Sequence, residues 1–353
     1  MYQSILKYLF FSCILWALYS CNNNPSEPVD PEGGIFQQEQ INAETVTLNS
    51  HDNLLLVGTT EGAFKKQLEN NATWYQVGLE IDSSKVVDFL IKNSSYYIAA
   101  VDYDRQTNKR AVLFETQNGG NSWSEIAVSF DEELRIFKVL ELEENPDGRI
   151  FADAGGITMK SSDSGRSWSN INDWGGMTFF LYASEYHPQQ IWTGGETHIF
   201  SPLLAKSVDG GDTWTLLNKN IHAGDATCYD VVLHPNDSDQ VLVGMGGAVS
   251  DVNRIRKSND GGQNWQNVLQ GYNIRTLTHS ADNPETVYAS GINPERRLFF
   301  AASTDFGESW ETIEWDDSPA GVQVNDMVSV MEDGQEVLYF GTNRGVFSYT
   351  FSD

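Results

Sequence analysis

Three aspartates occupy the same place in three similar apolar segments. Asp88, Asp230 and Asp326 are the third residues of the segments VVDFLIK, CYDVVLH and VNDMVSV. Each segment is typical of the first strand of a repeated unit. In a ring of such units the first strands line a central channel, and the three carboxylates would lie at equivalent positions near its mouth. Together they would form an acidic funnel for a cation, a cationic ligand or sugar hydroxyl groups. The alternative is that each carboxylate caps local backbone groups or contacts channel water, and for catalysis we favour this alternative.

The connecting loops carry side chains of the kind that bind ligands. Aromatic rings, carboxylates and amides are the usual groups that hold sugars or peptides. The candidates for ligand contact are Trp174, which follows Asp173, His222, which leads toward Tyr229, Tyr229 itself, and Arg275. Exposed loops contain such residues by default as well, so we assign none of them a catalytic role.

Other arrangements of catalytic residues are missing from the sequence. The six histidines include no close pair with metal-ligand spacing, and there is no phosphate-binding glycine loop or nucleophile elbow. Cys228 lies in an apolar run, where a buried, inert thiol is expected rather than a nucleophile. The sequence therefore predicts no metal and no cofactor, and it identifies no catalytic residue.

A tryptophan-ended octet recurs along the chain and sets the spacing of the strands. Its clearest copy is SVDGGDTW at residues 207–214, and further copies lie at 67–74, 116–123, 161–168, 258–265 and 303–310, the first of them decayed. The octets end at Trp74, Trp123, Trp168, Trp214, Trp265 and Trp310, which are 49, 45, 46, 51 and 45 residues apart. Such a period indicates a repeat architecture.

The octet pattern S-x-D-x-G-x-[TSN]-W has a physical explanation. The aspartate accepts hydrogen bonds from N–H groups of its own turn, the glycine supplies a positive φ, and the serine or threonine hydroxyl ties the start of the loop. The tryptophan ring then packs between neighbouring units. We predict structural roles for Asp163 and Trp168, Asp209 and Trp214, Asp260 and Trp265, and Asp305 and Trp310.

These octets resemble the Asp-boxes, or BNR repeats, of sialidases, sortilin-like propellers, photosystem II assembly factors and other β-propellers. In that superfamily the box joins the third and fourth strands of a blade on the face opposite the binding face. The resemblance therefore implies that ligands bind at the other, top face. It does not extend to sialidase activity, because this chain has no Arg-Ile-Pro element and no arginine before its first octet. Xyloglucanase-like glycosidases usually need two propellers, and the assembly factors carry a basic patch that we do not find here.

Strand counting predicts an all-β, seven-bladed propeller over residues 35–353. Short apolar strands and turn residues alternate, and no helical pattern is present. Residues 338–349 parallel residues 55–66 and so hold the second and third strands of a further unit, but the sequence stops before another octet. We expect residues 34–42 to supply the missing outer strand of that last blade, which closes the ring and covers an open sheet edge.

The first twenty residues are typical of a lipoprotein signal peptide. A short apolar run ends in Leu18-Tyr19-Ser20-Cys21, which resembles a bacterial lipobox and implies cleavage before Cys21 and diacylation of its thiol. The alternative is an ordinary secretory signal with a chance cysteine. Residues 21–34 contain three prolines and two glycines, and we expect a flexible tether there.

Composition limits the partners of the protein. A formal net charge of −27 disfavours nucleic acid and anionic lipid headgroups, and 40% hydrophobic with 12% aromatic residues excludes a disordered chain. The leading hypothesis is a monomeric propeller, lipid-anchored in the cell envelope at the outer membrane, that binds a protein, peptide or glycan on its top face without catalysis. The alternative is a glycoside hydrolase with two top-face carboxylates. A purely structural envelope or assembly factor is the third hypothesis.

Overall fold

The computed structural model is a closed ring of seven blades. It describes residues 34–79, 85–102, 112–127, 129–130, 141–145, 148–221, 224, 226–247, 252–314 and 321–351. Each blade is an antiparallel sheet of four strands, and a fifth short strand joins one of them in parallel. The first strands of successive blades contact one another in cyclic order. The prediction of an all-β, seven-bladed propeller is therefore confirmed.

The strands are numbered in chain order and grouped here by blade. The chain begins with β1 (Ile35–Gln38). Blade 1 contains β2 (Thr45–His51), β3 (Leu54–Thr59), β4 (Gly62–Gln67) and β5 (Tyr75–Gln76). Blade 2 contains β6 (Lys85–Ile91), β7 (Tyr97–Asp102), β8 (Val112–Thr116) and β9 (Ser124–Glu125). Blade 3 follows the short β10 (Ser129–Phe130) and contains β11 (Glu141–Glu144), β12 (Ile150–Asp153), β13 (Ile157–Ser161) and β14 (Ser167–Asp173).

The second half of the ring repeats the same plan. Blade 4 contains β15 (Gly176–Ala183), β16 (Ile191–Thr197), β17 (Pro202–Ser207) and β18 (Thr215–Leu216), and is followed by the helix α1 (Asn218–Ile221). Blade 5 contains β19 (Thr227–His234), β20 (Asp237–Gly246), β21 (Arg254–Ser258) and β22 (Gln266–Gln270). Blade 6 contains β23 (Asn273–His279), β24 (Val287–Ile292), β25 (Leu298–Ser303) and β26 (Glu311–Glu314). Blade 7 contains β27 (Val324–Glu332), β28 (Gln335–Thr342) and β29 (Gly345–Thr350).

The N-terminal strand completes blade 7. β1 pairs antiparallel with β29, with Ile35 opposite Thr350. On this strand Phe36 stacks on Phe347 of β29, with ring centroids 5.4 Å apart and an interplanar angle of 4°. The predicted pairing of the amino-terminal segment with the last blade is therefore confirmed.

The hydrophobic core lies in the seams between blades. Both faces of a blade pack against neighbouring blades, so the second strands are continuous apolar runs rather than alternating ones. β3, with the sequence LLLVGT, is buried at every position. One seam joins Trp192 and Leu204 of blade 4 to Val231 and Val243 of blade 5. The octet tryptophans Trp74, Trp168, Trp214, Trp265 and Trp310 belong to such clusters.

The octet loops have the hydrogen bonds that the sequence predicts. Asp209 Oδ1 accepts the N–H groups of Asp212 at 3.1 Å and Thr213 at 2.8 Å, and Thr213 Oγ1 donates to Asp209 Oδ2 at 2.6 Å. Gly211 has a φ of 85°, and its N–H donates to Ser207 Oγ at 2.8 Å. Closely similar bonds form around Asp163, Asp260 and Asp305.

The ring has two distinct faces. On the octet face, the octet loops lie beside the turns between first and second strands, and the Gly210 N–H donates to the Gln189 carbonyl at 2.9 Å. On the opposite face, called here the mouth face, the first strands begin and the hairpins between second and third strands turn. β1 begins on the octet face, because Ile35 lies opposite the end of the third strand β29.

Some features differ from the sequence predictions or fall outside the structure. The helix α1 is a correction, since no helix was expected. Within the described ranges, no helix is long and apolar enough to cross a membrane. The predicted signal peptide, Cys21 and the candidate ligand-contact residue His222 lie outside the described residues.

Candidate functional site at the channel mouth

A β-bulge recurs near the start of six first strands. The strand β19 shifts register between Cys228 and Asp230, and the same shift occurs in β2, β6, β15, β23 and β27. A bulge leaves one residue unpaired and re-aims its side chain. The bulged residues are Val46, Val87, Phe179, Tyr229, Arg275 and Asn325.

These bulges surround a cavity at the channel mouth. The cavity has a volume of about 540 Å³, and all six bulged residues line it. After five of the six bulges, the next residue is polar and also lines the cavity, namely Thr47, Asp88, Asp230, Thr276 and Asp326. The structure therefore brings the three sequence-predicted aspartates, Tyr229 and Arg275 into one site.

The aspartates tie neighbouring blades together. Asp230 Oδ1 accepts the N–H of Val231 at 2.7 Å, and its Oδ2 accepts the N–H of Leu277 in blade 6 at 2.7 Å. Asp326 repeats the pattern, accepting the N–H of Met327 at 2.8 Å and that of Leu48 in blade 1 at 2.7 Å. Backbone capping, the alternative that the sequence left open, is therefore one role of these carboxylates.

Threonines lie between the aspartates at the same level of the channel. The Thr47 hydroxyl is 3.1 Å from Asp88 Oδ1 and 3.4 Å from Asp326 Oδ2, so it can donate to either carboxylate. Thr276 lines the cavity with Asp230, and its hydroxyl lowers the pKa of that carboxyl. The resulting order of aspartate and threonine continues through blades 5, 6, 7, 1 and 2, and we call it the Asp–Thr belt.

Burial changes the acidity of this belt. Desolvation raises the pKa of Asp230 and of Asp326 to about 7, against the lowering effect of their backbone hydrogen bonds. The pKa of Glu143, which also lines the cavity, is raised well above its usual value by burial and then by the charges of Asp88 and Asp230. At neutral pH these three carboxyl groups therefore carry less negative charge than their number suggests.

One wall of the cavity is aromatic and cationic. Phe179, Tyr229 and Arg275 come from successive blades 4, 5 and 6. The Phe179 and Tyr229 ring centroids are 5.6 Å apart at 53°, and the Arg275 guanidinium carbon is 3.9 Å from the Tyr229 centroid. Among the described residues the Arg275 guanidinium has no hydrogen-bond or ion-pair partner, so its N–H edges remain available in the cavity.

The remaining predicted residues lie elsewhere. Trp174 donates its Nε1–H to Thr158 Oγ1 at 2.8 Å and meets Trp214 edge to face at 5.3 Å, and it is not among the described residues that line the cavity. Cys228 is fully buried, and burial raises the pKa of its thiol. The octet aspartates lie on the octet face, away from the mouth.

Sequence reasoning missed Phe179, Glu143 and Asn325. Aligning the first strands places Tyr229, Arg275 and Asn325 in one column, immediately before the column that contains the aspartates, and the bulge in β15 adds Phe179 to that column. That column was the available signal. Without the bulge, however, an alternating strand would direct these side chains away from the channel.

Comparisons with known proteins support the architecture. No family model and no curated protein matches the chain. YCF48 bound to D1 peptide is 15% identical with a TM-score of 0.66, covering 93% of this chain and 99% of YCF48. Virginiamycin B lyase from Staphylococcus aureus is 11% identical with a TM-score of 0.65, covering 90% of this chain and all of the lyase. The chain shares their β-propeller fold.

A third similar structure is a longer enzyme. The GH74 xyloglucanase from Xanthomonas campestris is 13% identical with a TM-score of 0.63, and the match covers 89% of this chain. The chain spans about half of the xyloglucanase, 53% of its length. At such identities the likeness establishes the fold alone.

In the described part of the chain, no group of three His, Cys, Asp or Glu side chains is arranged to hold a metal ion.

Proposed function

We propose that this protein is a non-enzymatic binding module that holds a segment of a peptide or protein in the cavity at the channel mouth. The observation that carries the proposal is the wall of Phe179, Tyr229 and Arg275, which offers ring faces and a guanidinium with no hydrogen-bond or ion-pair partner among the described residues. Stacked aromatic and arginine side chains are typical of binding hot spots. The carboxylates of Asp230 and Asp326 accept hydrogen bonds from backbone N–H groups of their own blade and the next one, which supports a role in positioning the blades.

The choice of a polypeptide ligand has two supports. The structural neighbour YCF48 is bound to a D1 peptide. In this chain, the cavity combines apolar walls at Val46 and Val87 with polar groups at Tyr229, Arg275 and Asn325, a mixture that suits a peptide backbone with side chains. Glycans offer the same kinds of contact and are the nearest alternative ligand.

The proposal includes the cellular setting expected from the sequence. We propose that the octets are Asp-boxes and that Cys21 carries the lipid anchor of a monomeric protein at the outer membrane. Mass spectrometry of the membrane-extracted protein tests the anchor: a diacylated peptide beginning at Cys21 supports it, and an unmodified Cys21 contradicts it.

Binding measurements test the central proposal. We expect peptides selected on the full-length chain to bind at least about 30-fold more weakly to Tyr229→Ala and Arg275→Met, because removal of a central hot spot costs about 2 kcal/mol or more. Arg166→Met is the matched control, since its guanidinium lies in the octet at residues 161–168 on the octet face. Unchanged binding in the Tyr229 and Arg275 variants would place the ligand elsewhere.

The second candidate function is a glycoside hydrolase. Its specific support is the raised pKa of Asp230 and Asp326, because a carboxyl with a pKa near 7 suits a general acid. Incubation with a panel of glycans tests it. Cleavage that disappears in Asp230→Asn or Asp326→Asn, with the variant still folded, supports hydrolysis and contradicts the non-enzymatic proposal.

A further inference from the structure

Blade 4 exposes an unusual number of large apolar side chains. Met177, Ile199, Phe200, Val208 and Leu216 all belong to it, and they are five of the eight exposed large apolar residues in the described part of the chain. Ile199 and Phe200 occupy the tip of the hairpin between β16 and β17 on the mouth face, with 76% and 65% of their surface exposed. Scattered exposed apolar residues need no explanation. Val208 lies in the octet on the opposite face, whereas Met177, Ile199 and Phe200 all lie toward the mouth face, and this grouping does need one.

The backbone at this tip is unfavourable for phenylalanine. Phe200 has a φ of 60°, the left-handed region that glycine and asparagine adopt most readily. The turn is a tight one, with the Phe200 N–H donating to the Thr197 carbonyl at 2.9 Å and the Thr197 N–H to the Ser201 carbonyl at 2.8 Å. A large side chain is therefore held in water at a position where a smaller residue would be more stable.

Blade 6 shows that this turn does not require apolar residues. In its hairpin between β24 and β25, the Arg296 N–H donates to the Asn293 carbonyl at 2.9 Å and the Asn293 N–H to the Arg297 carbonyl at 3.0 Å. Arg296 has a φ of 62°, so it is the counterpart of Phe200. The tip of blade 6 is Pro294-Glu295-Arg296, whereas that of blade 4 is His198-Ile199-Phe200. The same geometry thus carries a polar tip in one blade and an apolar tip in the other.

The blade 4 tip is continuous with the cavity. Met177 lines the cavity, is 49% exposed and lies opposite Glu196 in the pairing of β15 with β16. Ile199 follows Glu196 by three residues, so a path from the tip past Met177 to Phe179 spans about 15 Å, or four to five residues of extended peptide. We call Ile199, Phe200, Met177 and Phe179 together the apolar strip of blade 4.

We propose that this strip binds an apolar segment of the same polypeptide whose adjoining part occupies the cavity. The inference rests on the proposed function, because it assigns one partner to both surfaces. The net charge of −27 disfavours a second copy of the chain or an anionic lipid surface as the occupant. The partner segment is therefore apolar, with basic or neutral flanking residues.

The test uses dodecapeptides selected from a phage-displayed library on the full-length wild-type chain. We expect the selected peptides to be rich in apolar residues and to bind at least ten-fold more weakly to Phe200→Gly and to Ile199→Ser. Arg296→Gly is the matched control, because it makes the same backbone change on the same face and should leave binding unchanged. Glycine adopts the left-handed backbone conformation more readily than phenylalanine or arginine does, so the melting temperature of both glycine variants should rise by about 2 °C.

Each other result overturns the inference. If Phe200→Gly binds the peptides as tightly as the wild type does, the strip is not part of the binding site. The proposed function still stands in that case if Tyr229→Ala loses binding. A lower melting temperature in Phe200→Gly alone makes Phe200 a structural residue. If the wild type sediments as a dimer and Phe200→Gly as a monomer, the strip binds a second copy of the chain. If the protein binds phosphatidylcholine vesicles and Phe200→Gly does not, the strip binds a lipid surface. If no peptide is enriched on the wild type, both this inference and the proposed function fail.

Discussion

Replacing Phe36 with alanine measures how firmly the N-terminal strand closes the ring. The ring of Phe36 stacks on Phe347 at 5.4 Å and meets Phe340 edge to face at 6.3 Å. Removing a fully buried phenylalanine costs about 3–5 kcal/mol, and Phe36 is only partly buried, so we expect Phe36→Ala to lower the free energy of unfolding by about 2 kcal/mol.

The neighbouring residue provides a matched control. Ile35 lies on the same strand and is 65% exposed, so Ile35→Ala should change the free energy of unfolding by no more than about 0.5 kcal/mol. In urea titrations followed by tryptophan fluorescence, a loss of about 2 kcal/mol shifts the midpoint by about 0.7 M, taking a slope of about 3 kcal/mol per molar. Equal midpoints for the two variants would refute the argument that the stacked face of β1 holds blade 7 closed.

Two further predictions concern the carboxylates. Because burial raises the pKa of Asp230 and Asp326 to about 7 from 3.8, the stability they contribute is complete below about pH 4 and is lost as the pH rises through about 7. The urea midpoint should therefore fall as the pH rises from about 4 to about 7 and fall less in Asp230→Asn, while an equal or steeper fall contradicts the assignment. In the octet, Asp209→Ala should lower the free energy of unfolding by about 1 kcal/mol and Asp209→Asn by less, because Asn118 accepts the Ser122 N–H at the same octet position. Thermal melting of the two variants checks this order, and the reverse order would refute it.

The fold was predictable because its signals are local. The octet hydrogen bonds at Asp209 and the positive φ of Gly211 involve residues within one turn, so residue types alone specify them. The outer strand β1 followed from counting, since the last unit had no fourth strand of its own. The helix α1 is only four residues long and carries too little periodicity to be recognised.

The site was predictable only in part, because it depends on contacts between blades. The alignment of first strands placed Asp88, Asp230 and Asp326 correctly at one level of the channel. The stacking of Phe179, Tyr229 and Arg275 arises from bulges in three separate strands. Sequence periodicity does not reveal a bulge, and so the composition of this wall emerges from the structure.

The pairing of Ile35 with Thr350 has a practical consequence. Both termini of the described ring leave from the octet face, so a fusion partner, an affinity tag or a surface linkage at either end projects away from the cavity. A sensor chip loaded through the amino terminus would present every molecule with its mouth toward the solution. A membrane tether attached there would orient the protein in the same way.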